Sequence, residues 1–178
     1  MSEQPHPGAV RGVVILGSAR SDGNTRIVVD AFVARTGFDI IDLNDYRIGF
    51  FDYNLPDRQD DFIPLVQQLL AYDVLVFATP VYWYAMSAIM KNFFDRITDL
   101  LKWHKPLGRQ LRCKATALIS CGSDDDTDVA FTIPFVNSAA YLGMRYQGYV
   151  HTWVEAGAVP ELVHERLANF AREVVKLS

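Results

Sequence analysis

Cysteine is scarce in this chain of 178 residues, where only Cys113 and Cys121 occur. Two thiols make no disulfide framework, no Cys-x-x-Cys redox pair and no four-thiolate metal site, and they fit a reducing cytoplasm. Surplus positive charge is missing as well. Lysine and arginine number 17 against 21 aspartates and glutamates, a net charge of -4, whereas a protein that works on the nucleic-acid backbone carries clustered cations. Long hydrophobic runs are absent: no segment approaches the roughly 20 uninterrupted apolar residues of a membrane-spanning helix. The opening MSEQPHPGAVRG holds two prolines, two glycines and no apolar stretch, so residues 1–9 read as a flexible polar lead-in and not a signal peptide. There is no internal repeat, low-complexity tract or linker. With 50% hydrophobic residues, 10–178 is expected to form one domain with a sizeable core, soluble and intracellular, with neither nucleic acid nor membrane as partner.

Five short segments rich in β-branched and aliphatic residues alternate with five helical patterns. That alternation predicts an α/β fold, a parallel sheet covered on both faces. The strands are expected at Val10–Leu16, Phe38–Leu43, Val74–Thr79, Ala115–Cys121 and Arg145–His151, the second and fifth reading least clearly, as edge strands do. Helices are expected from about Thr25, Asp61, Ser87, Asp128 and Glu161. The third is the plainest, because Ile89, Met90, Phe93, Phe94, Ile97, Leu100 and Leu101 recur at helical spacing as one core-facing stripe. In such sheets ligands gather outside the carboxyl ends of the strands, which places Gly17–Thr25, Pro80–Ser87 and Gly122–Asp128 on one edge.

The first of these loops, GSARSDGNT, follows a buried-looking strand and opens a helix. Five residues separate Gly17 from Gly23 and Asn24 stands where a Walker A lysine belongs, so triphosphate chemistry loses its support. Ala19 occupies the place of the second glycine of a Rossmann fingerprint, and the loop has no cysteine for a phosphatase. What remains suits one terminal phosphate: hydroxyls on Ser18, Ser21 and Thr25, the Asn24 amide, the Arg20 guanidinium, and N–H groups at the helix start that a positive φ at Gly23 would turn inward. The same residues also read as an ordinary strand-to-helix turn with Asn24 as N-cap and Arg20 in solvent.

After the third strand comes TPVYWYAMSAIMKNFFDR, with Tyr82, Trp83 and Tyr84 consecutive beside Pro80. Three large aromatics on a loop at the ligand edge match a flat ring such as a flavin, or else fill a crevice or subunit interface. Taken with the first loop, they resemble the flavodoxin-like NAD(P)H-dependent FMN reductase and quinone reductase family. The residues carrying the resemblance are Gly17, Ser18, Arg20, Gly23, Asn24 and Thr25, then Pro80, Tyr82, Trp83, Tyr84, Ser87, Ala88, Met90, Lys91, Asp95 and Arg96. Many relatives carry Asn-Gly where this chain has Trp83-Tyr84, which implies a narrower acceptor pocket. Some relatives with the Tyr-Trp signature carry a cysteine cluster for an iron–sulfur centre, which this chain lacks.

The resemblance implies a flavodoxin-like three-layer sandwich with a five-stranded sheet in the order 2-1-3-4-5. It also implies an FMN site at Ser18, Arg20, Gly23, Asn24, Thr25, Pro80, Val81, Tyr82, Trp83 and Tyr84, with Ser120, Cys121, Gly122 and Ser123 near the pyrimidine side of the ring. Hydride would pass from NADPH or NADH through FMN to a small-molecule acceptor such as a quinone or flavin. No side chain need act as acid or base, so no catalytic residue is named. A homodimer, or a dimer of dimers, is implied too. The rival readings are a flavodoxin-type electron carrier without a substrate of its own and a flavin-free binding protein.

Other candidates read as structural. Cys121 is expected to be a small packed residue. Asp124, Asp125, Asp126 and Asp128 suit helix capping better than a metal, and no metal site is expected. His104 and His164 look like surface residues, His151 like a satisfied structural histidine, and Lys91 with Asp95 like a surface pair. The loop Asn44 to Asp61, with Tyr46, Phe50, Phe51 and Tyr53, is expected to be a lid or a dimer surface.

Overall fold

The computed structural model of the chain describes residues 10–55 and 58–176. The lead-in at 1–9 therefore lies outside the described residues. Five parallel strands, β1 (Gly12–Leu16), β2 (Asp39–Asp42), β3 (Val74–Pro80), β4 (Ala115–Cys121) and β5 (Arg145–Thr152), form one sheet in the order β2-β1-β3-β4-β5. This is the expected 2-1-3-4-5 order. Six helices cover it: α1 (Asn24–Thr36), α2 (Phe62–Leu69), α3 (Ala88–Lys102), α4 (Lys105–Arg109), α5 (Ile133–Leu142) and α6 (Glu161–Val175).

Strand alternation sorts the core into two layers. Val14, Leu16, Val76, Ala78 and Ile119 face a cluster completed by Val28 and Phe32 of α1 and by Leu167 and Phe170 of α6. Val13, Ile15, Leu75, Phe77 and Leu118 face Leu65 and Val66 of α2, Phe93 of α3 and Phe135 of α5. Each inner strand is apolar at consecutive positions because both of its faces are covered. Between β4 and β5 the register shifts at Thr116/Leu118, and Gly148 takes φ +126° there. That irregularity blurs the alternation of the last strand and brings Ser120 opposite His151.

Several boundaries differ from those read in the sequence. Val10 and Arg11 precede β1, and Leu43 leaves β2 for a 3-10 turn, Leu43–Asp45, whose Asn44 N–H is capped by Asp42. The fourth helical pattern, expected from about Asp128, does not start there as an α-helix. Asp128 caps a 3-10 turn, Val129–Thr132, and the α-helix begins only at Ile133. Pro134 explains this, since proline has no N–H to give an interior turn and fits the first. The short α4 is an addition, a single turn with proline in its first positions.

Candidate flavin site

The three loops at the carboxyl edge meet as the topology requires. Gly17 can sit there only as glycine, because a Cβ would lie 2.9 Å from the Met90 Cβ of α3. Ser87, the N-cap of α3, ties the second loop to the first. Its Oγ donates to Gly17 O at 2.7 Å and accepts from Met90 N at 3.1 Å, while its own N–H reaches Thr79 Oγ1 at 3.0 Å. Ser87 is thus a buried structural joint.

The start of α1 opens into a cavity of about 260 Å³ lined by Ser18, Arg20, Gly23, Asn24, Thr25, Pro80, Val81, Tyr82, Cys121, Gly122 and Ser123. Gly23 is the N-cap, and Asn24 is the first helical residue. Gly23 has φ -82°, so the expected positive φ is absent. Its lack of a side chain serves another end: the Arg20 guanidinium packs 3.5 Å from where a Cβ would stand. Among the described residues no side chain caps α1, and no acidic residue occupies its first turn. The positive end of a 13-residue helix therefore meets hydroxyls, an amide and a guanidinium with no carboxylate of its own. This donor set fits the phosphate of FMN.

A second cavity, of about 710 Å³, adjoins the first through Val81, Gly122 and Ser123 and is lined further by Trp83, Tyr84, Asp124, Asp126, Thr127, Asp128 and Phe131. Trp83 and Tyr84 are the two central residues of a tight turn closed by Tyr82 N to Ala85 O at 2.9 Å and Ala85 N to Tyr82 O at 3.0 Å. Both are left-handed, with φ +49° and +62°, the conformation of a type I′ turn, which favours Asn-Gly. They are 94% and 81% exposed. Two aromatics held in a costly backbone conformation with their rings bare point to a role outside the fold's own packing.

The third loop hangs from β5. His151 stands between Ser120 Oγ, 2.7 Å from Nδ1, and the Asp124 carbonyl, 2.9 Å from Nε2. Ser120 is fully buried and lines neither cavity, and it also bonds the Tyr149 hydroxyl at 3.0 Å. Of the four residues expected in this loop, the structure brings Cys121, Gly122 and Ser123 to the cavity and keeps Ser120 beneath it. Burial pushes the Cys121 thiol up despite hydrogen bonds with Thr25 and Thr152, so it is a protonated floor residue and not a thiolate. The aspartates serve locally: Asp124 caps Asp126 N, Asp128 caps Ala130 N, and Asp125 pairs with Arg166. Among the described residues no group of three His, Cys, Asp or Glu is placed to hold a metal, and no helix is long and apolar enough to cross a membrane.

The long loop packs beside α3. Phe51 stacks on Trp103, Asn92 Nδ2 donates to Ile48 O at 2.8 Å, and Phe50 and Tyr53 stay exposed. Two residues near the site carried no signal in the sequence. Asn44 reaches the first loop, its Nδ2 lying 2.8 Å from Ser18 O and 3.3 Å from Ser21 Oγ, and Asp42 holds Asn44. Only the sheet brings these positions together.

A five-stranded 2-1-3-4-5 sheet with an open anion cradle after β1 and an aromatic loop after β3 defines a flavodoxin-like flavin-binding protein. Comparison narrows the class. Residues 10–157 match the model of the family described as NADPH-dependent FMN reductase. YwqN of Bacillus subtilis (strain 168), named as an NAD(P)H-dependent FMN-containing oxidoreductase, is 30% identical over 154 residues, 77% of this chain and 81% of YwqN. The solved structure of the Trp repressor binding protein from Bacillus subtilis aligns with a TM-score of 0.73 at 26% identity, over 94% of this chain and 99% of the other. An NADPH-quinone reductase from P. pentosaceus shares the fold with a TM-score of 0.69 at 16% identity, over 95% and 100%. The chain belongs to the NADPH-dependent FMN reductase family: it is an oxidoreductase whose cofactor is FMN and whose reductant is NAD(P)H.

Proposed function

We propose that the 260 Å³ cavity takes the FMN phosphate, that the flavin ring lies where the two cavities join, and that the 710 Å³ cavity admits the reductant and then a small flat acceptor, a quinone, a flavin or a related electrophile. The uncapped start of α1, with Arg20 folded over Gly23, carries this reading. Once bound, FMN supplies two-electron chemistry between the reductant and the acceptor. The protein's part is placement. Ser18, Asn24, Thr25 and Arg20 hold the phosphate, Pro80 to Tyr84 flank the ring, Cys121 to Ser123 close the opposite side, and Trp83 with Tyr84 limits what enters. The exposed Phe50, Tyr53 and Leu55 support a homodimer built on the long loop.

Purified protein loaded with FMN should bleach on anaerobic addition of NADPH or NADH and recover its yellow colour when a quinone is added. A flavin colour that neither nicotinamide discharges would refute the reductase reading. Bleaching that no quinone or free flavin reverses would refute the acceptor. Light scattering on the same sample should give twice the chain mass, and a strict monomer that still turns over would refute the dimer.

A further inference from the structure

We infer that Asn44, oriented by Asp42, is a positioning residue that sets the shape of the anion cradle and so governs the preference for a phosphorylated flavin. The inference rests on the phosphate reading of the first loop. The carboxamide nitrogen of Asn44 lies 2.8 Å from Ser18 O, 3.3 Å from Ser21 Oγ and 3.0 Å from Asp42 Oδ1. One group thus spans the loop from its second residue to its fifth and anchors both to the end of β2. The peptide plane makes the tie to Ser18 matter. In a trans peptide the carbonyl and the following N–H point in opposite directions, so drawing Ser18 C=O toward Asn44 fixes the Ala19 N–H on the other side. Ser87 Oγ does the same at Gly17 O. The loop is held from two sides by its carbonyls; Gly17 N–H is taken by Ala78 O at 2.9 Å and Arg20 N–H reaches Ser18 Oγ at 3.4 Å, which leaves the Ala19 N–H between them as the donor turned toward an anion.

Asp42 shows that this arrangement is maintained at a cost. It is buried, its Oδ1 accepts from both Asn44 N, at 2.9 Å, and Asn44 Nδ2, and its Oδ2 is buried with no hydrogen-bond partner among the described residues. A buried carboxylate oxygen without a partner is unfavourable. That oxygen stands beside Asn44, the side chain that braces the cradle from the β2 side. Asn44 itself is exposed, so removing it leaves the core intact and separates positioning from stability.

Calorimetric titration of the apoprotein with FMN and with riboflavin tests this. Asn44→Ala should weaken FMN about tenfold while riboflavin stays within about twofold, the loss expected from one hydrogen-bonded brace. The near-isosteric Asn44→Asp, which cannot donate and adds a negative charge, should weaken FMN further and also spare riboflavin. Asp42→Asn, which keeps the Oδ1 acceptor, should bind FMN nearly as the parent does, whereas Asp42→Ala should resemble Asn44→Ala. Equal losses for the two flavins, or unchanged FMN affinity in both Asn44 variants, would overturn the inference. If the unsubstituted protein itself held FMN no better than riboflavin, the phosphate reading would fail first, and the wild-type titration identifies that case.

Discussion

Arg20 shows how one residue carries the functional reading. It is exposed, yet its guanidinium lies over the N-cap of α1 at the rim of the smaller cavity. If it meets the phosphate, Arg20→Ala removes a charge-assisted hydrogen bond of about 1.5–3 kcal/mol and weakens FMN by roughly tenfold to a hundredfold. Riboflavin has no phosphate and should be untouched. As an idle surface side chain, Arg20 would change stability by no more than about 0.5 kcal/mol and leave both flavins alone. Four affinities, two ligands by two proteins, decide between these, and only the FMN value should move. The sequence shows Ser18, Arg20 and Asn24 because they are contiguous in a strand-to-helix turn. It hides Asn44, which touches the loop from 26 positions beyond Ser18, and it misassigns Gly23, whose smallness accommodates Arg20 and not a left-handed backbone.

Among the elements, the turn after β3 holds the clearest conflict between local preference and use. Asn-Gly satisfies two consecutive left-handed positions without strain, whereas aromatic residues there cost on the order of 1–3 kcal/mol each. Replacing Trp83-Tyr84 by Asn-Gly should therefore raise the melting temperature of the apoprotein. It should also weaken FMN and riboflavin equally and by a few-fold, since what is lost is ring stacking of about 0.5–1.5 kcal/mol. That pattern is the complement of Arg20→Ala. An unchanged or lowered melting temperature would mean that the two rings pay for the turn through contacts within the protein. The aromatic run is legible in the sequence, but the turn's hand is not, because Trp and Tyr are poor indicators of positive φ. The late start of α5 is the reverse case, since Pro134 was present in the sequence to place it.

On the scale of the whole molecule, the parallel sheet and its two core layers follow from apolar strands and a striped third helix. The loop from Asn44 to Asp61 did not declare how it is held. Arg96 of α3, only 2% exposed, donates from Nε to Asp99 at 2.9 Å and from a terminal nitrogen to Gly49 O at 2.9 Å, pairs with Asp60, and lies 4.8 Å from the Phe62 ring centre. Asp60 in turn accepts from Gly49 N and Phe62 N. One guanidinium and two carboxylates thereby join the end of the long loop, the start of α2 and the third helix. Pairings 36 positions apart leave no periodic trace.

Burial alone would raise the Asp60 carboxyl, but the hydrogen bonds from Arg96, Gly49 and Phe62 outweigh it and hold the group below its ordinary value near 3.8. A depressed carboxyl stabilises the fold at pH values above its unfolded pKa, and that contribution drains away as pH falls from there through the folded value. The protein should therefore lose stability as the solution is acidified below about pH 4, where protonation of Asp60 leaves Arg96 buried against Asp99 alone. Asp60→Asn should cost about 1.5–3 kcal/mol at pH 7, the loss of one charged hydrogen-bonding partner while Arg96 keeps Asp99, and should then show a shallower fall in stability on acidification. Urea unfolding at pH 7, 5 and 3.5 measures both effects. Parallel pH profiles for the two proteins would show that Asp60 is not the acid-sensitive group.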